Sequence, residues 1–400
     1  MRIRTFILLL SISALCACAN VKDSVSNLVA RESDNSVPPA ELVEFEPTIE
    51  VEKVWSDRYG KGVDNLFIQL TPAAYEDLVF TADRDGRMIA MSAETGDEIW
   101  TERDKKLRIS GGPGVGEGLV FAGTSDAEVI ARDVRTGEQK WIALVSSEVL
   151  APPIADRGTV IVRTGDGKLF GLDAASGKRK WVYDRTIPVL TLRGTSTPVI
   201  YDGFVIVGFD NGRLVALDVS TGKQEWETRL GVPSGRSDLE RMVDIDAEPI
   251  IIDEVAYVAS FQASIAAVSV FTGQLEWTRD ISSHSSLSAD DSHVYVTDEL
   301  GAVWGLDRST GTSIWKQDGL KARGVSGPTV FGDYVVVGDF EGYLHWMNRE
   351  NGEFVYRIRL DKQRILVPTR NVGDVLLAFS TSGVLSAYRL KNAPASVEEP

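Results

Sequence analysis

The sequence has almost no cysteine and very little histidine. Its 400 residues include only two cysteines, Cys16 and Cys18, and three histidines. Because both cysteines lie close to the N-terminus, the chain beyond residue 18 can form no internal disulfide. An exported protein of this composition has to be stabilised by its core, and a chain of this length can bury a core of sufficient size.

Basic residues are also scarce. The sequence has 42 lysines and arginines against 58 aspartates and glutamates, which gives a formal net charge of −16. A chain this acidic is repelled by nucleic-acid phosphates and by anionic lipid headgroups. The composition therefore argues against nucleic-acid binding and against electrostatic attachment to a membrane.

The most prominent apolar run covers residues 6–15, just after two arginines. It is too short to span a bilayer but suits a secretory signal. The run ends in Leu15-Cys16-Ala17-Cys18, which resembles a bacterial lipobox. We therefore predict a lipoprotein signal peptide over residues 1–17, with Cys18 as the lipid-modified first residue of the mature chain. The alternative is an ordinary signal peptide whose cysteines have no role.

The residues around this site indicate a destination. Ala19 and Asn20 follow Cys18 in place of the aspartate that commonly retains such lipoproteins in the inner membrane. We therefore expect lipid anchoring at the periplasmic face of the outer membrane. Residues 18–47 have no sustained periodicity and are predicted to form a lipid-anchored flexible linker, and residues 392–400 a disordered tail.

The most regular feature of the chain is a repeat of eight aromatic residues spaced 38 to 51 residues apart. From the second one onward, each follows a turn made of a small or polar residue and glycine, here called the small-Gly turn. A period near 40 residues with strand-rich sequence predicts a propeller with one four-stranded antiparallel sheet, or blade, per repeat. The repeated aromatic residues are Trp55, Trp100, Trp141, Trp181, Trp226, Trp277, Trp315 and Tyr356.

The two ends of the repeat region complete each other. Residues 367–390 supply three strands without a small-Gly turn or a final aromatic residue, whereas residues 49–55 form an outer strand with no blade before it. Joining them makes an eighth blade and removes the open sheet edges. The sequence thus predicts an all-β, eight-bladed propeller over residues 48–391, closed by its N-terminal strand. Each tryptophan is expected to pack between blades, with its indole N–H reaching a carbonyl.

Three connections are longer than the others. Most blades need 12 or 13 residues from the aromatic residue to the proline of the next inner strand, but Trp55 to Pro72 and Trp181 to Pro198 each take 17, and Trp226 to Pro249 takes 23. The last two lie on adjacent blades. These two connections emerge on the face opposite the small-Gly turns, and the first of them carries two leucines and an arginine. Apolar side chains flanked by charge suit a protein-docking surface. Leucines that fold back as a hydrophobic cap are the alternative.

Catalytic signals are weak throughout the sequence. Eight-bladed propellers with this repeat include quinoprotein dehydrogenases, which stack their quinone on a disulfide between adjacent cysteines and bind calcium. This chain lacks such cysteines, and residues 83–86 match only the start of a calcium loop, so a hairpin turn is the better interpretation. We therefore predict no enzyme activity, no cofactor and no metal. Zinc-type spacing is also missing from the three histidines, His284, His293 and His345.

The lipobox, the eight repeats and the lack of a catalytic centre together resemble the BamB family, the propeller lipoproteins of the outer-membrane β-barrel assembly machinery. The resemblance covers the whole chain. Its most specific part is residues 190–194 and 244–246, which match the segments through which that family contacts the periplasmic POTRA domains of BamA. The resemblance implies five partner-binding residues: Leu190, Leu192, Arg193, Asp244 and Asp246.

On this resemblance the protein is expected to be a non-enzymatic scaffold that docks on BamA and assists the insertion of β-barrel proteins. Other components of the machinery, contacted indirectly, and unfolded outer-membrane proteins are further candidate partners. The alternative is a periplasmic propeller that binds a small ligand, such as a glycan or a quinone, in its central channel.

Overall fold

The computed structural model describes residues 37–60, 62, 70–185, 196–231 and 243–391. Every regular element in these ranges is a β-strand, and none of their segments is a helix able to cross a membrane. The strands form eight four-stranded antiparallel sheets. The prediction of an all-β, eight-bladed propeller is therefore confirmed.

The first strand, β1 (Val51–Arg58), belongs to the last blade, and the next sixteen strands build blades 1 to 4. Within each blade the strands pair in chain order, from the inner to the outer strand. They are β2 (Ala73–Tyr75), β3 (Leu78–Ala82), β4 (Arg87–Ser92) and β5 (Glu98–Arg103); β6 (Ile109–Gly116), β7 (Leu119–Thr124), β8 (Glu128–Asp133) and β9 (Gln139–Leu144); β10 (Ile154–Asp156), β11 (Thr159–Arg163), β12 (Leu169–Asp173) and β13 (Arg179–Tyr183); and β14 (Val199–Tyr201), β15 (Phe204–Phe209), β16 (Arg213–Asp218) and β17 (Gln224–Arg229).

Blades 5 to 7 repeat this order, and blade 8 takes only three strands from the C-terminal end. These strands are β18 (Ile250–Ile252), β19 (Val255–Ala259), β20 (Ile265–Ser269) and β21 (Leu275–Arg279); β22 (Ser288–Ala289), β23 (His293–Thr297), β24 (Val303–Asp307) and β25 (Ser313–Gln317); β26 (Thr329–Phe331), β27 (Tyr334–Gly338), β28 (Tyr343–Asn348) and β29 (Phe354–Arg359); and β30 (Arg370–Val372), β31 (Val375–Phe379) and β32 (Val384–Leu390).

Both chain ends close the ring, as the sequence predicts. Strand β1 pairs antiparallel with β32, from Val51 opposite Leu390 to Arg58 opposite Val384, and becomes the outer strand of blade 8. Because successive strands alternate in direction, all outer-to-inner connections emerge on one face of the propeller. The small-Gly turns lie on the opposite face.

Each repeated tryptophan joins its blade to the next one. The indole N–H of Trp100 donates to the carbonyl of Val134 in blade 2, at 3.0 Å. Its ring lies over Gly137, which has φ +73°, and a Cβ on that glycine would come within 2.8 Å of the ring. Glycine is required there because it tolerates both the left-handed backbone and the close approach. We call this pair of contacts the clasp. It recurs at Trp55 with Gly96, Trp141 with Gly177, Trp181 with Gly222, Trp226 with Gly273, Trp277 with Gly311, and Trp315 with Gly352.

The seam between blades 7 and 8 is built differently. Tyr356 replaces the tryptophan, and the residue opposite it on the neighbouring strand is Trp346 rather than the alanine or glycine of the other blades. Blade 8 also has no small-Gly turn, because its outer strand comes from the other end of the chain. This seam therefore lacks the clasp.

The N-terminal segment differs from the linker prediction. The compact unit begins at Ala40, whose N–H donates to the carbonyl of Lys321 at 2.9 Å. Phe45 stacks on Phe354 with 5.8 Å between ring centroids. Residues 40–47 were expected to be flexible, but Leu42, Phe45 and several backbone groups have partners on blade 7 or at its junction with blade 6. Cys18, the rest of the predicted linker and the predicted tail lie outside the described residues.

Candidate partner-docking site

Two long connections on adjacent blades are here called the docking loops. They are residues 184–198, between blades 3 and 4, and residues 230–249, between blades 4 and 5. Their tips, including Leu190, Leu192 and Arg193, lie outside the described residues. The bases of both loops are described, and they determine where the tips begin and end. The roles that the resemblance implies for these three residues stay predictions.

The bases of the two docking loops are joined to each other. Ser196 donates its hydroxyl to the carbonyl of Ala247 at 2.9 Å and accepts the N–H of Gly208 at 3.4 Å. Ile245 packs on the backbone of Gly208, where a Cβ would come within 2.1 Å of its side chain. Any side chain at position 208 would displace the second loop. The loop bases and strand β15 thus form one packed unit.

A buried arginine lies directly under this unit. Arg163 ends strand β11 and is 1% exposed. It donates to the carbonyl of Gly208 and, at 3.5 Å, to that of Ser196, and it pairs with Asp210 at 2.9 Å. Its guanidinium carbon also lies 5.0 Å from the ring centroid of Phe209. A buried charge is costly unless it is paired and hydrogen-bonded, so Arg163 fixes the groups around it.

Asp244 and Asp246 lie at the end of the second docking loop. Asp244 is only 1% exposed, and its carbonyl accepts the N–H of Phe261 at 2.8 Å. Asp246 is half-buried, and its Oδ1 makes no hydrogen bond within the part of the chain that the structure describes. The resemblance implies that both contact a partner. Because the side chain of Asp244 lies inside the base, we expect it to act by shaping the loop.

The carboxyl groups at the base shift one another's pKa. The pKa of Asp246 is raised to about 7, chiefly by burial and in smaller part by the charges of Asp210 and Asp244, while Arg163 opposes the shift. Burial also raises the pKa of Asp210, again against the effect of Arg163. Among the described residues of this cluster, three acids face one arginine. The base therefore contains one carboxyl group, that of Asp246, whose pKa lies near neutral pH.

The outer side of the same base is basic and aromatic. Arg185, at the start of the first docking loop, pairs with Glu227 at 2.6 Å, and Arg213 contacts the same carboxylate. The guanidinium carbon of Arg185 lies 5.4 Å from the ring centroid of Phe209, so two arginines pack on that ring. Tyr183 adds a tilted ring contact with Phe209 at 6.2 Å. This wall gives the first docking loop a rigid support.

Sequence reasoning missed most of this foundation. Arg163 closes a strand of otherwise uncharged residues that is buried on both faces, and a charge in that position indicates a buried partner. Asp210 lies in a hairpin turn after strand β15, and its sequence context indicates a turn and no buried partner. The link between Ser196 and Ala247 depends on two loops that are 51 residues apart, and no local pattern reports it.

The described residues offer little for catalysis. Within them, no group of three or more histidine, cysteine, aspartate or glutamate side chains is arranged to hold a metal ion. Asp83 accepts the backbone N–H groups of Asp85 and Arg87 at 3.0 and 3.2 Å, which is hairpin-turn geometry. The Nε2 atom of His345 lies 3.0 Å from Asp339 in a fully buried pair. These groups have structural partners already.

A central cavity of about 820 Å³ lies between the inner strands. Arg370 of blade 8 and Glu248 beside blade 5 both line it, and they form an ion pair at 3.3 Å. Serine side chains before and within blade 6 form part of the wall. This cavity is the channel in which the alternative interpretation of the sequence places a small ligand.

Comparison with known protein families matches residues 84–317 to the family described as outer membrane protein assembly factor BamB. A BamB protein of Xanthomonas campestris pv. campestris is 38% identical over 386 residues, covering 94% of this chain and 95% of that protein. A BamB protein of Pseudomonas aeruginosa is 42% identical over 359 residues, covering 90% of this chain and 94% of that protein.

Solved structures agree with these relationships. The crystal structure of BamB from Moraxella catarrhalis superposes with a TM-score of 0.78 and 29% identity, covering 85% of this chain and all of that one. A quinohemoprotein alcohol dehydrogenase from Comamonas testosteroni has a TM-score of 0.65, covering 88% of this chain and 78% of that one, but only 14% identity. That likeness concerns the fold alone. The chain belongs to the family of the outer membrane protein assembly factor BamB.

Proposed function

We propose that this protein is a non-enzymatic assembly factor that docks on the POTRA domains of BamA through its two docking loops and assists the insertion of β-barrel proteins. The observation that carries the proposal is the joined base of the docking loops in a chain that matches BamB proteins along nearly all of its length. A small-ligand function of the central cavity is not favoured by this family relationship.

The site has the properties that a docking function needs. Binding surfaces are effective when loops start from a rigid scaffold, since less conformational freedom is lost on association. Ser196, Arg163 and Ile245 provide such a scaffold for both loops at once. The predicted leucines would supply apolar contact area, and Arg193 would supply a charged anchor.

Lipid attachment at Cys18 is part of the proposal, with the protein held at the periplasmic face of the outer membrane. The acidic body has no electrostatic attraction to lipid, so the acyl chains have to provide the attachment. Cys18→Ala should release the protein from membranes. A Cys18→Ala protein that still fractionated with membranes in high salt would contradict the lipid anchor.

Docking is tested by co-purification of BamA with variants of the first loop. Arg193→Glu should retain less BamA than Arg193→Ala, because a reversed charge adds repulsion. Leu192→Ala should weaken binding by about 1–3 kcal/mol if the leucine is an interface anchor. Arg108→Glu is the matched control, because Arg108 is exposed, lies on the same face and also stands five residues before a proline.

All four proteins should have the melting temperature of the wild type, because exposed loop positions contribute little to the core. If Leu192→Ala and Arg193→Glu co-purified BamA at wild-type levels, the docking loops would not be the interface. An equal loss with Arg108→Glu would show a general charge effect and would also contradict the proposal.

A further inference from the structure

The N-terminal segment is bound along blade 7 and at its junction with blade 6. We propose that blade 7 carries a receptor for residues 40–48, and that this contact, here called the latch, fixes the N-terminal tether to the face of the propeller that carries the docking loops. The latch would set the free length of the tether. This consequence rests on the lipid anchor of the proposed function, whereas the latch itself does not.

Backbone hydrogen bonds hold both ends of the segment. The N–H of Ala40 donates to the carbonyl of Lys321 at 2.9 Å, and the N–H of Thr48 donates to the carbonyl of Val355 at 3.0 Å. Lys321 lies in the connection between blades 6 and 7, whereas Val355 lies in the outer strand β29. The segment therefore follows the edge of blade 7 from one face of the propeller towards the other.

Two arginines of the propeller bind carbonyl groups of the segment. Arg323 donates from Nη1 to the carbonyl of Ala40 at 3.0 Å, and Arg357 donates from Nη1 to the carbonyl of Val43 at 2.9 Å. Hydrogen bonds from a charged donor are stronger than those between neutral groups. The two arginines thus bind the backbone of the segment at its first residue, Ala40, and at Val43.

Apolar side chains add to the latch. Phe45 stacks on Phe354, and the guanidinium carbon of Arg357 lies 5.0 Å from the ring centroid of Phe45. Leu42 packs against the buried cluster at the junction of blades 6 and 7. The side chain of Val43, by contrast, is exposed. The segment therefore has an inward face, formed by Leu42 and Phe45, and an outward one.

A buried network holds the two arginines in position. Asp339 accepts Nε and Nη2 of Arg323 at 2.9 and 2.8 Å, and His345 Nε2 lies 3.0 Å from the same carboxylate. Arg357 donates from Nε to Nδ1 of His345 at 3.0 Å, so Nε2 carries the imidazole proton and donates to Asp339. Burial lowers the pKa of His345, which keeps the ring neutral in this role. The receptor is thus formed before the segment binds, which reduces the entropic cost of binding.

The direction of the segment has a consequence for the tether. Ala40 lies beside an outer-to-inner connection, and all such connections share a face with the docking loops. The tether therefore leaves the propeller on the docking-loop face. Release of residues 40–48 would lengthen it by up to about 30 Å, at about 3.3 Å per extended residue.

Amide hydrogen exchange in the full-length protein tests the latch. The double variant Leu42→Ala, Phe45→Ala should raise the exchange rates of the Ala40 and Thr48 amides at least about tenfold, because both apolar anchors are lost. Val43→Ala is the matched control, since it shortens an exposed side chain of the same segment, and it should leave both rates unchanged. Unprotected amides in the wild type, or equal rates in the wild type and the double variant, would overturn the latch.

The effect on tether length is tested by deleting residues progressively between positions 20 and 36. In the wild type, co-purification of BamA should fail at a shorter deletion than in the double variant, by up to nine residues. If both proteins lost BamA at the same deletion length, the latch would not set the reach of the tether. The exchange measurement needs neither lipid nor partner, so failure of docking and failure of the latch give different results.

Discussion

The bases of the connections that enter blades 4 and 7 share one framework but balance their charges differently. Both segments have the sequence Arg-Gly-x-Ser-x-Pro, at residues 193–198 and 323–328. Their serine hydroxyls accept the N–H of Gly208 at 3.4 Å and of Gly338 at 2.9 Å. Each of these glycines packs against an isoleucine of the following connection. The backbone arrangement is thus the same at two places in the ring.

The side chains at the hairpin next to this framework are exchanged. Phe209 and Asp210 in blade 4 stand where Asp339 and Phe340 stand in blade 7. Asp339 is paired with Arg323 and His345, and its pKa is lowered. Burial opposes the shift, but the hydrogen bonds donated by His345, by the backbone N–H of Tyr343 and by Arg323 outweigh it. The pKa of Asp210 is raised instead, by burial.

The two bases also differ in whether residues of the same chain cover them. The blade 7 base has its acid neutralised and is covered by residues 40–48 of the same chain. In the described part of the blade 4 base, Asp244 and Asp246 add to Asp210 beside a single arginine. A common framework therefore binds residues 40–48 at blade 7 and, in the proposed function, supports the docking loops at blade 4. The pKa of the hairpin aspartate is lowered at the first base and raised at the second.

Replacing the hairpin aspartate of each base, Asp339 or Asp210, should give the largest difference in stability between the two bases. Asp339→Asn removes the fully buried carboxylate that binds Arg323 and His345, leaves Arg323 only the exposed Glu341 as a counter-ion, and should lower the free energy of unfolding by about 3–5 kcal/mol. Asp210→Asn should cost less, because it also relieves repulsion between acids. Denaturant unfolding of both variants measures the difference. Equal losses would contradict the distinction between the two bases.

The pH dependence of stability should identify the acidic base. The pKa of Asp246 is raised to about 7 in the folded protein from 3.8, so its contribution to stability is complete below pH 3.8 and is lost as the pH rises to 7 and beyond. Asp246→Asn should therefore stabilise the protein at pH 8 by about 1–3 kcal/mol, since each pKa unit is worth about 1.4 kcal/mol and the site is partly open to water. Melting curves at pH 5 and pH 8 provide the test. A variant that gained nothing at pH 8 relative to pH 5 would refute the assignment.

A matched pair of serine variants should separate stability from docking. Ser196→Ala and Ser326→Ala each remove a hydroxyl that accepts a buried glycine N–H, and each should cost about 1–2 kcal/mol. Only Ser196→Ala should also reduce co-purification of BamA, because only that serine joins the docking loops. If both variants retained BamA equally, the joined base would have no role in docking.

The fold was largely predictable from the sequence because each clasp joins a tryptophan to a glycine one repeat further along the chain. The regular spacing of the tryptophans and of the glycines in the small-Gly turns indicates this repeated contact between neighbouring blades. The two incomplete ends of the repeat region indicate how the ring closes. The latch was not predictable. Residues 40–47 have no sustained periodicity, and their partners Arg323 and Arg357 lie about 300 residues away in the chain.

The candidate site was predictable only in outline. Loop length and the resemblance together point to one pair of adjacent connections, and Asp244 and Asp246 lie together at the base of the second one. Burial of Asp244 and the presence of Arg163 depend on how blades 3, 4 and 5 pack against each other. A pattern within one repeat carries no information about that packing.

The central claim is that the blade 4 base supports partner docking whereas the blade 7 base serves the protein itself. Asp184 and Asp318 test it most directly, because each is the first residue after an outer strand at one of the two bases, and both side chains are exposed. A photo-cross-linking residue placed at either position in the intact envelope should link to BamA from position 184 and not from position 318. Equal cross-linking from both positions, or cross-linking from position 318 alone, would contradict the account.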